Sequence, residues 1–216
     1  MQPLPCGALF WPRRSMLLVA DLHLEKGSHF ARKGWLLPPH DSLDTLRRLA
    51  DAVRTTGARQ VVALGDSFHD MGGPDRLPCE ARQLLANLTA LVSWTWVTGN
   101  HDGESGGALG GLTVTELELD GIVLRHEAEP QAGLAEISGH YHPKVMLELR
   151  TGRRVSRRCF ALAGDRLVLP AYGAYAGGLL LDDPALVRAM GGRPDALLAL
   201  PEGLVRLTAD MREKAA

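Results

Sequence analysis

The stretch Met16–Gly27, MLLVADLHLEKG, sets five apolar residues directly against Asp21-Leu22-His23. A short apolar run of this kind reads as a buried strand, and here it ends on two metal-ligand side chains. The pattern recurs twice. Gln60-Val-Val-Ala-Leu64 runs into Gly65-Asp66, and Trp94-Thr-Trp-Val97 runs into Gly99-Asn100-His101-Asp102. Between these runs, Leu43, Leu46, Leu49 and Val53 recur at helical spacing, with Asp41 or Ser42 to cap the start and Gly57 to close the end. Leu84, Leu85, Leu88 and Leu91 mark a second helix. Strand, helix, strand, helix, strand predicts an α/β layout with parallel strands.

Beyond Gly111 the periodicity shortens. Thr113–Leu119 and Gly121–Leu124 predict a hairpin about Asp120-Gly121, followed by strands at Ala135–Ser138, Val145–Arg150, Arg158–Leu162 and Arg166–Leu169. A helix is expected near Asp183-Pro184, where proline suits a first turn. No repeat or linker divides the chain, so residues 1–216 read as a single domain.

Composition is that of an ordinary globular protein: 45% hydrophobic, 23% charged, net charge −1. There is no global basic field, so a nucleic acid would have to be met by a local patch. The three cysteines, Cys6, Cys79 and Cys159, lack metal-site spacing and fit a reducing compartment. The prolines of the N-terminal stretch do not suit a signal peptide, and no run reaches membrane-spanning length. A cytoplasmic protein without membrane contact is expected.

Ligands of open α/β sheets gather beyond the carboxyl ends of strands. Five such ends carry polar residues here: Asp21 and His23; Asp66; Asn100 and His101; His126; and the doublet His140 and His142 in Gly139-His-Tyr-His-Pro143. If that last segment is extended, its two imidazoles share a face. Taken singly, an Asp after a strand reads as a turn residue. Together these segments hold five of the eight histidines. Imidazole, carboxylate and amide donors without thiolate suit Mn, Fe or Zn, and their number exceeds what one tetrahedral ion needs. Two ions about 3.5–4 Å apart can activate water and clamp both oxygens of an in-line phosphoryl displacement.

Asp21-Leu22-His23, Gly65-Asp66-Ser67-Phe68-His69, Gly99-Asn100-His101-Asp102, His126 and Gly139-His140-Tyr141-His142 together resemble the calcineurin-like metallophosphoesterases. The resemblance implies a four-layer αββα sandwich with mixed sheets and two divalent metal ions. Asp21, His23, Asp66 and His142 would bind one ion. Asp66, Asn100, His126 and His140 would bind the other, with His101 at the scissile phosphate as ligand or general acid. The chain departs from the family pattern at His69, where an Asp that orients the GNH histidine is usual, so Asp70 or Asp102 becomes the candidate for orienting His101. It departs again at Arg125-His126-Glu127, where His-Gly is usual.

Further phrases, DLHLEKG, LLPPHD, GHYHP and RRCFALAGDRLVLPAYGAYAGGL, resemble the bacterial ligase-associated branch. That likeness implies a manganese-dependent endonuclease on single-stranded DNA, encoded beside a DNA ligase, a helicase and a nuclease in a repair cluster.

Basic residues after the last motif, among them Lys144, Arg150, Arg153, Arg154, Arg157, Arg158 and Arg166, can position phosphates or simply solvate a sheet edge. Lys26, Arg32 and Lys33 alternate with Phe30 and Trp35 and can hold a strand whose bases stack, although packing is the preferred reading of both aromatics. Lys26, Arg154 and Arg157 are the substrate contacts expected. Gly103–Gly111, GESGGALGG, reads as a flexible loop over the site, and His29 and His40 receive no ligand role. Competing functions are hydrolysis of a small nucleotide or lipid pyrophosphate, and a non-catalytic scaffold. The complete ligand set argues against the scaffold.

Overall fold

Alternation along three short strands builds the core. In a computed structural model, which describes residues 1–38, 40–100, 109–129 and 133–213, these are β3 (Met16–Ala20), β4 (Gln60–Leu64) and β5 (Ser93–Val97). They lie parallel in a six-stranded sheet with β1 (Gln2–Pro3), β2 (Leu9–Trp11) and β6 (Leu112–Val114), in order of number. Leu17, Val19, Val61, Ala63, Trp94 and Trp96 face one way, onto Leu46, Leu49, Leu85 and Leu88 of the helices α2 (Asp41–Thr56) and α4 (Cys79–Leu91). Their neighbours Leu18, Ala20, Val62, Leu64 and Val97 face the other way, as a period of two requires.

That second face meets another sheet. It comprises β7 (Glu116–Leu119), β8 (Ile122–Arg125), β9 (Ala135–Ser138), β12 (Phe160–Ala163), β13 (Arg166–Val168), β14 (Asp195–Leu200) and β15 (Gly203–Leu207). Their spatial order is β15-β14-β12-β13-β9-β8-β7, parallel only at β13–β9 and β9–β8. Leu124, Ile137, Phe160 and Leu197 close the inner layer. Ala161, Val168, Ala196 and Leu198 point outward onto Leu186, Ala189 and Met190 of α5 (Pro184–Met190). Helices, sheet, sheet and helix make the expected four layers, with mixed sheets. A two-stranded ribbon, β10 (Lys144–Glu148) and β11 (Arg154–Arg158), stands apart from both sheets, and α1 (Lys26–Arg32), α3 (Gly73–Arg76) and α6 (Ala209–Glu213) complete the elements. Among the described residues no helix is long and apolar enough to cross a membrane.

Several sequence expectations need correction. Thr113–Leu119 is not one strand: the chain leaves the first sheet after Val114 and joins the second at Glu116. Arg158–Leu162 is likewise split at Cys159, the ribbon taking Arg158 and the second sheet taking Phe160. Gly57 closes α2 in a left-handed conformation as expected, but neither Asp41 nor Ser42 caps it. Asp41 Oδ2 accepts the Gly27 N–H (2.9 Å), while Ser42 Oγ accepts the Glu25 N–H (2.8 Å) and donates to Glu25 Oε1 (2.7 Å). The side chains that suit a helix start are used to fasten the loop leaving β3. At α5 the expectation holds, since Asp183 Oδ1 accepts the Ala185 N–H. The β14–β15 hairpin was not anticipated; its Asp195–Leu200 run follows directly on a glycine-rich helix end.

Candidate metal centre

Register fixes where the polar loops emerge. Ala20 pairs with Leu64 and Leu64 with Val97, so three strand ends are level at one sheet edge. The first two loops then continue the pairing beyond the sheet. Asp21 N–H donates to Gly65 O (3.2 Å), His23 N–H to Asp66 O (2.9 Å), Leu24 N–H to Ser67 O (2.9 Å) and His69 N–H to Leu24 O (2.9 Å). On the other flank, Tyr172 N–H donates to Ala20 O (2.8 Å) and Gly173 N–H to Asp21 O (3.0 Å).

This lattice holds an unusual backbone. Asp21 (φ 53°), His23 (43°), Asp66 (47°), His140 (70°) and His142 (48°) are all left-handed. Side-chain-bearing residues seldom adopt that region, at a cost of about 1–3 kcal/mol each, and such residues cluster where geometry serves a site. The doublet is therefore not extended, and the same-face argument for His140 and His142 fails. Tyr141 N–H donates to Gly139 O (2.9 Å), a tight local turn that swings the two imidazoles apart.

They reach separate groups of donors. Asp21, His23 and His142 form one triad, and Asp66, His126 and His140 the other, with one donor atom from each residue within 4.8 Å of its partners. In the first triad His23 Nε2 lies 3.2 Å from His142 Nε2, which is 3.4 Å from Asp21 Oδ1. In the second, His126 Nε2 lies 3.1 Å from His140 Nδ1 and 3.5 Å from Asp66 Oδ1. Asp21 links the two, because its Oδ2 accepts the His140 N–H (2.9 Å).

His126 Nδ1 lies 3.1 Å from Leu64 O, so Nδ1 carries the hydrogen and Nε2 presents its lone pair to the triad. The imidazole lies flat on the backbone at Gly65, where a Cβ would fall 2.2 Å from His126 Nδ1. At Gly99 a Cβ would fall 2.2 Å from Asp66 N, so only glycine lets the third loop abut the second. Asn100 follows at once and is exposed. His101, Asp102 and most of the glycine-rich loop, 103–108, lie outside the described residues.

The donor set fits divalent cations. Asp21 is fully buried, and among the described residues its Oδ1 accepts no hydrogen bond. A buried carboxylate oxygen left in that state is costly unless a cation compensates it. Metal–ligand bonds of about 2.0–2.2 Å place neighbouring donors about 3.0–3.5 Å apart, the spacing of His142 from His23 and Asp21 and of His126 from His140 and Asp66.

Around the triads the structure adds partners that the sequence did not disclose. Glu127 Oε1 lies 3.8 Å from His140 Nε2 and accepts from Tyr141 Oη (3.0 Å). Burial and that carboxylate push the Tyr141 hydroxyl up to about 12, so it remains a donor. The His69 ring sits 5.6 Å from that of His23, 4.5 Å from that of His29, and stacked 5.7 Å from Phe30. Asp70 accepts from both terminal nitrogens of Arg76 (2.9 and 2.8 Å), from Gly72 N–H (2.9 Å) and from His29 Nδ1 (2.5 Å). Arg76 chiefly, with His29, holds its carboxyl well below the usual range. Four donors already engage its carboxylate, while His101, which it was expected to orient, lies outside the described residues.

The expected substrate contacts separate. Lys26, half-buried at the start of α1, lies in the field of Asp66, Asp21 and Asp41, with Lys144 nearby; burial pulls its ammonium pKa down. Arg154 and Arg157 are exposed but pair with Glu148 and Val145, so they occupy opposite faces of the ribbon. Arg158 instead donates to Ala171 O and Ala174 O, and Arg166 to Met190 O, which makes both structural. Phe30 packs as expected, whereas Trp35 is open to solvent.

A family model described as calcineurin-like phosphoesterase matches residues 15–159. The crystal structure of the Pseudomonas putida nuclease MPE aligns with a TM-score of 0.72 at 26% identity, covering 95% of this chain and 93% of that one. YfcE, a phosphoesterase from E. coli, aligns at 16% identity with a TM-score of 0.46, covering 89% and 97%. No curated protein matches the chain.

Proposed function

Because the chain belongs to the calcineurin-like phosphoesterase family, hydrolases of phosphate esters, we propose that it is a binuclear-metal phosphodiesterase that cuts single-stranded DNA in repair. The observation that carries this reading is the pair of Asp/His triads at one sheet edge, each with two buried members. Asp21, His23, Asp66 and His142 are assigned to one ion, and Asp66, Asn100, His126 and His140 to the other, with Asp66 shared. The nitrogen and oxygen donors suit manganese, with iron or zinc as substitutes. Two such ions, when bound, lower the pKa of water and neutralise charge on the phosphoryl oxygens.

The protein's own groups do the rest. Leu64 O fixes the His126 tautomer, and the Glu127 carboxylate, 3.8 Å from His140 Nε2, adds negative charge at the outer side of the second triad. The backbone ladder between the Asp21 and Asp66 loops keeps the carboxylates in place without reorganisation during the reaction. Lys26, in the field of Asp66 and Asp21, is assigned to donate to a phosphate oxygen of the strand. His101 is assigned the proton that the leaving strand oxygen takes up as its P–O bond breaks. DNA as substrate is supported by the likeness to the Pseudomonas putida nuclease and by the acid-free basic segment after the first motif. Functional association with a DNA ligase, a helicase and a nuclease belongs to the same proposal.

The test compares metal-stripped and Mn-loaded protein on a labelled single strand and on bis(4-nitrophenyl) phosphate. Mn-dependent cutting of the strand is expected. Hydrolysis of the small ester with the strand left intact overturns the DNA assignment.

A further inference from the structure

We propose that Trp35 is a stacking platform for an unpaired base of the strand being cut, forming the outer wall of the substrate path. This rests on the phosphodiesterase reading above and names how that site recognises a polymer. Trp35 is 71% exposed, whereas Trp11, Trp94 and Trp96 are 6%, 3% and 2% exposed. Trp35 is not a lone exposed side chain: Leu36 is 88% and Leu37 37% exposed, so three consecutive apolar residues face solvent.

The loop that carries Trp35 is joined to the first triad through α1. Phe30, on the inner side of α1, stacks on His69, whose ring meets that of His23. The Trp35 N–H donates to Phe30 O (3.0 Å), and Tyr175 Oη donates to Pro38 O (2.7 Å), so both ends of the loop are tied. The segment from Lys26 to His40 carries Lys26, Arg32 and Lys33 and no Asp or Glu. Cations running from the phosphate-cleaving centre to an exposed indole match a polyanion with π faces, which is the chemistry of a single strand. A paired base has its faces covered, so the same device disfavours duplex.

The test uses Mn-loaded full-length protein and fluorescein-labelled dT12. Trp35→Leu, which keeps an apolar side chain at an exposed position, is expected to raise KM about tenfold with kcat within about twofold. Trp35→Phe, which restores a π face, is expected to recover most of that loss. Because the other tryptophans are buried, wild-type emission should fall on mixing with dT12 before cleavage, and Trp35→Leu should show no such fall. If Trp35→Leu cuts dT12 with the wild-type KM, this inference fails while strand cleavage stands. If the wild type hydrolyses bis(4-nitrophenyl) phosphate but neither binds nor cuts dT12, the underlying reading fails and takes the inference with it. Indole emission that responds to phosphatidylglycerol vesicles and not to dT12 also overturns it, in favour of a lipid surface.

Discussion

The two triads are built from the same residue types yet differ in depth. Asp21, His23 and His142 lie inside the fold: the Asp21 side chain is wholly buried, that of His142 is 15% exposed, and the His69 ring backs His23. Asp66 and His126 are as deep, but their third member, His140, is 30% exposed and is steadied from outside by Glu127. The difference teaches that one triad lies deeper and the other forms a rim open to solvent, although a single His-Tyr-His turn serves both. The rim position is the one expected to exchange its ion and meet the substrate.

Four substitutions probe that contrast. Asp66→Asn removes the carboxylate assigned to both positions, so turnover should fall by about a thousandfold or more, because losing even one preorganised charge stabiliser costs about 10²–10³. Steady-state cleavage checks it, and near-normal turnover would break the shared-ligand account. Gly65→Ala drives a Cβ into the His126 ring and forces a side chain onto a φ of +73°, so a loss of about 1–3 kcal/mol is expected. Denaturant unfolding and metal content read it, the loss of metal falling on the rim position alone. Glu127→Gln should weaken the rim ion about tenfold and leave the deep one unchanged, as read by competition with a chelating dye.

The smallest effect lies beside the deep triad. Arg76 and His29 hold Asp70 below its ordinary value of 3.8, so its contribution to stability is present above that pH and is lost as the pH falls below it. The destabilisation caused by Asp70→Asn should therefore be full above about pH 5 and shrink below 3.8. A difference independent of pH would show that the carboxylate does not act through its charge.

The layers were legible because strand alternation and helical spacing survive in one dimension: Leu17 and Val19 against Leu18 and Ala20 already divide the core between two faces. The triad residues were legible too, since each follows an apolar run. Their division into two groups was expected from the family resemblance alone, which set His142 with Asp21 and His23, and His140 with Asp66 and His126. His140 and His142 suggested an extended pair, and only the left-handed backbone at both positions separates them. Asp41 and Ser42 look like helix caps in sequence, but the buried Glu25 loop competes for the same side chains and wins them. Asp70 beside His69 suggested a partner for His101, and no local pattern announced that Arg76, six residues on, also engages it. Trp35 was expected to pack in the core or against its loop, and no local pattern marks a loop that leaves its indole outside.

The central claim is that two ions occupy two triads, with the doublet divided between them. Counting manganese per chain in the wild type, His140→Ala and His142→Ala tests it directly. The account predicts two ions in the wild type and one in each variant, with the ion kept by His142→Ala being the faster to exchange. A single ion in the wild type that both substitutions remove would contradict it.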